Sequence, residues 1–68
     1  MSITDDIAIN NYTSLRAIGI GPERAAYLAG QWGVDKVAVT GHRFDAGKLL
    51  VDLVPMNGAD KYSLEINL

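Results

Sequence analysis

Residues 18–25 read Ile-Gly-Ile-Gly-Pro-Glu-Arg-Ala. Proline constrains a chain more than any other residue. Its ring fixes φ at about −65° and it carries no amide proton, so a helix accepts it only in its first turn. Pro22 therefore opens a helix or ends whatever precedes it. The following residues favour a start. Glu23 places an acid in the first turn, and Ala25, Leu28, Ala29 and Trp32 recur at three- and four-residue spacing. Gly33 supplies a stop. A helix is expected over residues 22–32, with Gly21 as its N-cap. The alanines on its apolar stripe leave room for another element to approach closely.

The segment before the corner, residues 4–17, reads in two ways. Thr4 or Ser2 can cap a helix whose first turn holds Asp5 and Asp6, where acid is favourable. Ile7, Ile9, Tyr12 and Leu15 are its apolar residues. Ile7 and Ile9 alternate, which suits a short strand, and the doublet Asn10-Asn11 can break the segment. The expectation is an irregular lead-in and then a short helix over residues 13–17.

The second half changes period. Val37 and Val39 alternate with Ala38 and Thr40 in a strand expected over 36–44. A three-residue loop, Asp45-Ala46-Gly47, follows, with Gly47 left-handed. The next strand, 48–55, is apolar on both faces except at Asp52. Asn57-Gly58 is a hairpin turn signal. The last strand, 61–68, sets Tyr62, Leu64, Ile66 and Leu68 against Ser63, Glu65 and Asn67. A helix over 45–54 competes, but Gly47 and the flanking turns weigh against it. The fold expected is α+β: a short helical hairpin packed on a three-stranded antiparallel β-meander. It forms one domain over residues 1–68, mainly helical over 1–33 and β-meander over 36–68. The middle strand, with two apolar faces and one helical layer, leaves its second face to another copy or a partner.

Composition narrows the function. The 68 residues are 49% hydrophobic, too many for a disordered chain. The longest apolar stretch, 49–56, is interrupted by Asp52 and is far too short to span a membrane. Met1 with no tag reads as the start of a complete small protein, and an acidic rather than basic N-terminus argues against a secretory signal. There are no cysteines, which fits a cytoplasmic setting in a bacterium or infected host cell. A domain this short is marginal alone, and self-association is one common remedy. Six Lys and Arg against eight Asp and Glu give a net charge of −2, which leans against generic affinity for nucleic acid.

Residues 15–28, Leu-Arg-Ala-Ile-Gly-Ile-Gly-Pro-Glu-Arg-Ala-Ala-Tyr-Leu, resemble the helix-hairpin-helix motif. That family joins two short helices by a hydrophobic-Gly-hydrophobic-Gly turn, with alanine four residues after the second glycine. Gly19, Ile20, Gly21 and Ala25 fall on those positions. The resemblance implies a DNA phosphate held by the amides of Gly19 and Gly21 and reinforced by Arg24. A helix N-terminus and close-approaching glycine amides do favour an anion. Two residues depart from the pattern: Ile18 replaces a frequent proline, and Glu23 puts a negative charge where members often carry lysine. The other reading is a compact helix–helix corner, with glycines for the turn and Ile18 and Ile20 for the core.

Other features are weaker. Residues 41–48 superficially resemble a phosphate-binding P-loop. They have five residues between the glycines instead of four, Leu49 where Ser or Thr should hold magnesium, and a hairpin context. His42, the only histidine, has Asp45 as its local partner but no nucleophile pattern or ligand-spaced cluster. With Arg43 and Lys48 it is expected to form a basic hairpin tip. Asp5 and Asp6, adjacent on a helix, diverge too far for a paired acid–base or metal site. Asn11-Tyr12-Thr13 matches a glycosylation sequon, which has meaning only after export. Trp32 is expected in the core and Tyr27 on the surface. No catalytic residue, metal or cofactor is expected.

The functional expectation is a non-enzymatic interaction protein that docks on a larger host protein or complex through His42, Arg43, Lys48 and Tyr27. It would form homo-oligomers and would not enter a membrane. Small, acidic, cysteine-free proteins of this kind resemble phage and mobile-element accessory factors that inhibit or redirect host machinery. The alternative is direct DNA binding by the helix-hairpin-helix-like corner.

Overall fold

A computed structural model describes residues 3–67, with side chains from Asp5 onward. Two helices, α1 (Ile3–Ile18) and α2 (Pro22–Val34), precede three strands, β1 (Val37–Asp45), β2 (Lys48–Pro55) and β3 (Tyr62–Ile66). The strands form one antiparallel sheet in the order β1-β2-β3. The helical hairpin lies on one face of the sheet. The result is the expected α+β arrangement as a thin slab, 37 × 27 × 14 Å.

α1 is a full helix, not an irregular lead-in. Asp5 and Asp6 sit in its first turn, but it already includes Thr4. Ser2, the other expected cap, lies outside the described residues. The Asn doublet does not break the helix, because Asn11 falls on the buried stripe with Ile7 and Leu15, four residues apart on one face. Asn11 is 1% exposed and both ends of its amide are used. Its Nδ2 donates to the Val37 carbonyl at 2.9 Å, and its Oδ1 accepts the Val39 amide at 2.9 Å. Four-residue spacing thus puts one polar group where the helix meets the edge of β1. The sequon asparagine is therefore enclosed in the fold.

α2 also runs further than expected. Gly33 does not stop it; it is buried within the last turn, and the helix continues to Val34 with Asp35 as C-cap. The left-handed residue that turns the chain away is Lys36, φ 57°, whose amide donates to the Gly33 carbonyl at 3.1 Å.

β2 has the expected bounds, and its alternation sorts the sheet. Leu49, Val51 and Leu53 are buried against the helices, while Leu50, Asp52 and Val54 are half-buried on the opposite face. The first hairpin turn is shorter than expected. Asp45 pairs with Lys48, so the loop is the two residues Ala46 and Gly47, both at positive φ. That geometry is a type I′ turn, which matches the twist of the strands it joins. The second connection is longer than a tight turn. It spans residues 56–61, with Gly58 left-handed and the Asn57 side chain accepting the Ala59 amide at 2.9 Å. β3 is shorter than the 61–68 expected, and Leu68 lies outside the described residues. The core joins Leu15, Ile20, Ala25, Ala29 and Trp32 to Val37, Leu49, Val51, Leu53 and Ile66. Full burial of one leucine is worth about 1.5–3 kcal/mol, and Leu15, Leu49 and Leu53 are all fully buried.

The hydrogen-bond phase shows which edges are open. The Met56 amide donates to the Lys36 carbonyl, so Lys36 and Met56 face each other between β1 and β2. Backbone groups alternate sides along a strand. Val37 and Val39 therefore face away from β2, and Asn11 meets them there. On β2, Leu49, Val51 and Leu53 face β3, where they oppose Ile66, Leu64 and Tyr62. The backbone groups of Ser63 and Glu65 accordingly point outward. β1 is closed at Val37 and Val39 by Asn11 and is interrupted by a bulge at Thr40. Among the described residues, none covers Ser63 and Glu65 in this way.

Replacing Asn11 by leucine keeps the apolar stripe but leaves the Val37 carbonyl and Val39 amide unpaired. Each buried group without a partner costs about 1–3 kcal/mol. Asn11→Leu is expected to lose about 2–5 kcal/mol in urea unfolding, a large part of the 5–15 kcal/mol typical of a domain. A loss under about 0.5 kcal/mol, the range of ordinary surface changes, would show that the clamp is not needed.

Candidate functional site

The glycine corner is built from α1's last carbonyls. The Gly19 amide donates to the Arg16 carbonyl at 3.1 Å, and the Ile20 amide donates to the Leu15 carbonyl at 3.1 Å. With Gly19 at φ 112°, this is a Schellman cap, completed by the buried pair Leu15 and Ile20. The Gly19 amide, one of the two implied by the helix-hairpin-helix resemblance, thus points back into α1. The two glycines have different roles. Gly21 caps α2 at φ −59°, ψ 155°, angles that any residue adopts, and a Cβ there would meet nothing within 4 Å. Only Gly19 has a conformational requirement.

Both arginines near the corner donate to backbone carbonyls. Arg16 Nη1 donates to Ile20 O at 3.0 Å. Arg24 Nη1 donates to Asn67 O, tying the first turns of α2 to the end of the sheet. Glu23 is exposed beside them.

The hairpin residues do not form one basic tip. The register sets His42 opposite Val51 on the helix side, and Arg43 opposite Leu50 on the other side. His42 meets Phe44 edge to face, with ring centroids 5.9 Å apart and planes at 86°. Asp45, its expected partner, falls on the opposite face with Lys48. Lys48 Nζ lies 3.7 Å from Glu65 Oε2, an exposed ion pair worth little by itself. Tyr27 projects from α2 at 66% exposure, and Trp32 is buried, each where expected.

Two clefts flank β1. One, of about 250 Å³, lies between α1 and β1 and is lined by Ser14, Ala17, Ile18, Val39, Thr40, Gly41 and His42. The second, of about 340 Å³, opens on the outer face and contains Arg43 and Lys61 beside Asp52 and Ser63. Ser63 Oγ donates to Asp52 Oδ1 at 2.7 Å, and a Cβ at Gly41 would come within 3.3 Å of Asp52 Oδ2. Sequence reasoning missed this cluster, although the alternation of Asp52 and Ser63 against apolar neighbours places both on one face. Among the described residues no group of three or more His, Asp or Glu side chains is placed to hold a metal ion, and no helix is long and apolar enough to cross a membrane.

In comparisons with known proteins, no family model, curated protein or solved structure matches this chain.

The corner geometry separates its two glycines experimentally. Gly19→Ala forces a Cβ into a left-handed position at a cost of about 1–2 kcal/mol. Gly21→Ala meets no forbidden angle or contact and is expected to cost less, about 0.5 kcal/mol, from the weaker N-cap alanine makes. Thermal unfolding of both variants measures the difference.

Proposed function

We propose that the protein is a non-enzymatic interaction module that docks on a larger host protein or complex and inhibits or redirects it. In this it resembles accessory factors of phages and mobile elements, working in the cytoplasm of a bacterium or infected cell and self-associating. One observation carries the reading. The chain has five aromatic side chains, and four of them, Tyr12, Tyr27, Phe44 and Tyr62, are exposed while only Trp32 is buried. A small domain gains most from its largest apolar groups when they are inside. Exposed aromatic rings, wet at one end and apolar at the other, are the anchors around which protein interfaces concentrate their affinity. Tyr27 is foremost because it stands well clear of the core. Arg43 and the Lys48–Glu65 pair would sit at the rim, where charge sets association rate and salt dependence more than affinity.

The test is an affinity capture from a lysate of the source organism, with and without nuclease. The expected result is a protein prey that survives nuclease and is reduced roughly tenfold by Tyr27→Ser, a loss of about 1.4 kcal/mol, while circular dichroism stays unchanged. Recovery through nucleic acid alone would overturn the reading in favour of direct DNA binding.

A further inference from the structure

We propose that β3 of one molecule pairs antiparallel with β3 of a second copy about a two-fold axis at Ser63, joining two three-stranded sheets into one of six strands. The proposal rests on the self-association reading above and names its surface. Three independent features of β3 agree on one register.

The first is backbone phase. Ser63 and Glu65 point their amides and carbonyls outward, and Lys61 immediately precedes β3, two residues before Ser63. Only registers that oppose odd-numbered residues to odd-numbered residues can form a ladder on this edge.

The second is charge. With Ser63 opposite Ser63 of the second copy, Lys61 stands opposite Glu65 of the second copy, and the pair occurs twice by symmetry. Lys61 has no ion-pair partner among the described residues of its own molecule. Glu65 offers Lys48 only its Oε2, which leaves Oε1 for a second cation. The neighbouring registers fail. An axis at Leu64 sets Glu65 against Ser63 and Lys61 against Asn67, so neither ion pair forms. An axis at Tyr62 sets Glu65 against Ala59, which is held in the turn made by Asn57.

The third is apolar surface. Tyr62 and Leu64 lie on the helix side of β3 and remain 42% and 40% exposed, although their cross-strand neighbours Leu53 and Val51 are fully buried. In the Ser63 register, Tyr62 faces Leu64 of the second copy as a non-hydrogen-bonded pair, the closer of the two pair types. Both exposed side chains are then covered by the same step that closes the edge. The edge of β1 is clamped at Val37 and Val39 and bulged at Thr40; its outward run is His42 and Phe44, and an axis at the centre of that run sets Arg43 against Arg43 of the second copy, a like-charge pair.

The experiment uses the whole chain in sedimentation velocity from micromolar to millimolar concentration. Wild type is expected to dimerise. Lys61→Glu and Glu65→Lys each turn two attractive pairs into two repulsive ones, so each should weaken the dimer about tenfold. A one-to-one mixture of the two variants restores both pairs and should recover a heterodimer. Because the chain has no cysteine, Ser63→Cys supplies a unique probe. At the axis, its Cα should lie about 5.5 Å from its mate, within disulfide reach, and mild oxidation should give a covalent dimer. Circular dichroism checks that each variant stays folded. A dimer that ignores both charge variants and leaves Ser63→Cys unlinked would overturn the β3 assignment while self-association stands. A monomer at every concentration would overturn both.

Discussion

The amide of Asn11 joins α1 to the sheet through two hydrogen bonds to consecutive outward-facing groups of β1. Much of the structure follows from that contact. A buried polar side chain must satisfy its donor and its acceptor, and Asn11 does both only when α1 has one rotation and one height relative to β1. An apolar stripe alone would tolerate a range of rotations, because hydrophobic burial is not directional. With Asn11 seated, Ile7 and Leu15 turn inward and Ile9 and Tyr12 turn outward. The same contact fills the sites at Val37 and Val39 where another strand would pair with the start of β1. The β1 edge is blunted at its start, and the β3 edge carries the exposed Tyr62 and Leu64.

At the other end of α1 the chain reverses within a Schellman cap. The cap consumes the Gly19 and Ile20 amides, and Arg16 returns from the helix to hold the Ile20 carbonyl. Arg24 then ties α2 to the end of the sheet at Asn67. The hairpin of helices is thus fixed at one end by backbone carbonyls taking arginine donors, and along its side by Asn11. In a domain of this size such directional contacts settle how a small core is arranged, since few leucines are available to specify it by shape alone.

Much of this was legible in the sequence where several local signals agreed. Pro22 with Glu23 and the apolar stripe after it began a helix, the alternation in β3 read as a strand, and Gly47 with the flanking turns set β2 against a competing helix over 45–54. Failures came where one residue type serves two roles. Asn11 reads as a breaker because its amide competes for backbone groups locally; here it satisfies backbone groups 26 and 28 residues away. Gly33 reads as a C-terminal stop, yet it is buried inside the last turn while Lys36 takes the left-handed position. Ala46 and Gly47 both adopt positive φ, a pair of angles more usual for Asn-Gly. The basic tip was separable from the sequence, since a strand sends His42 and Arg43 to opposite faces. The outer face of β2 was legible only in part: Leu50 is half-buried between Arg43 and Glu65 in the register, and cross-strand cover of that kind needs the pairing to be known.

Asn11 closes the start of the β1 edge from within, and a second copy is proposed to complete the β3 edge. Amide hydrogen exchange followed by NMR at low and high protein concentration addresses both halves at once. The Val39 amide should be protected at every concentration. The Ser63 and Glu65 amides should exchange freely in dilute solution and become protected as concentration rises, while the Leu64 amide, facing β2, stays protected throughout. A freely exchanging Val39 amide would contradict the clamp, and Ser63 and Glu65 amides indifferent to concentration would contradict the paired edge.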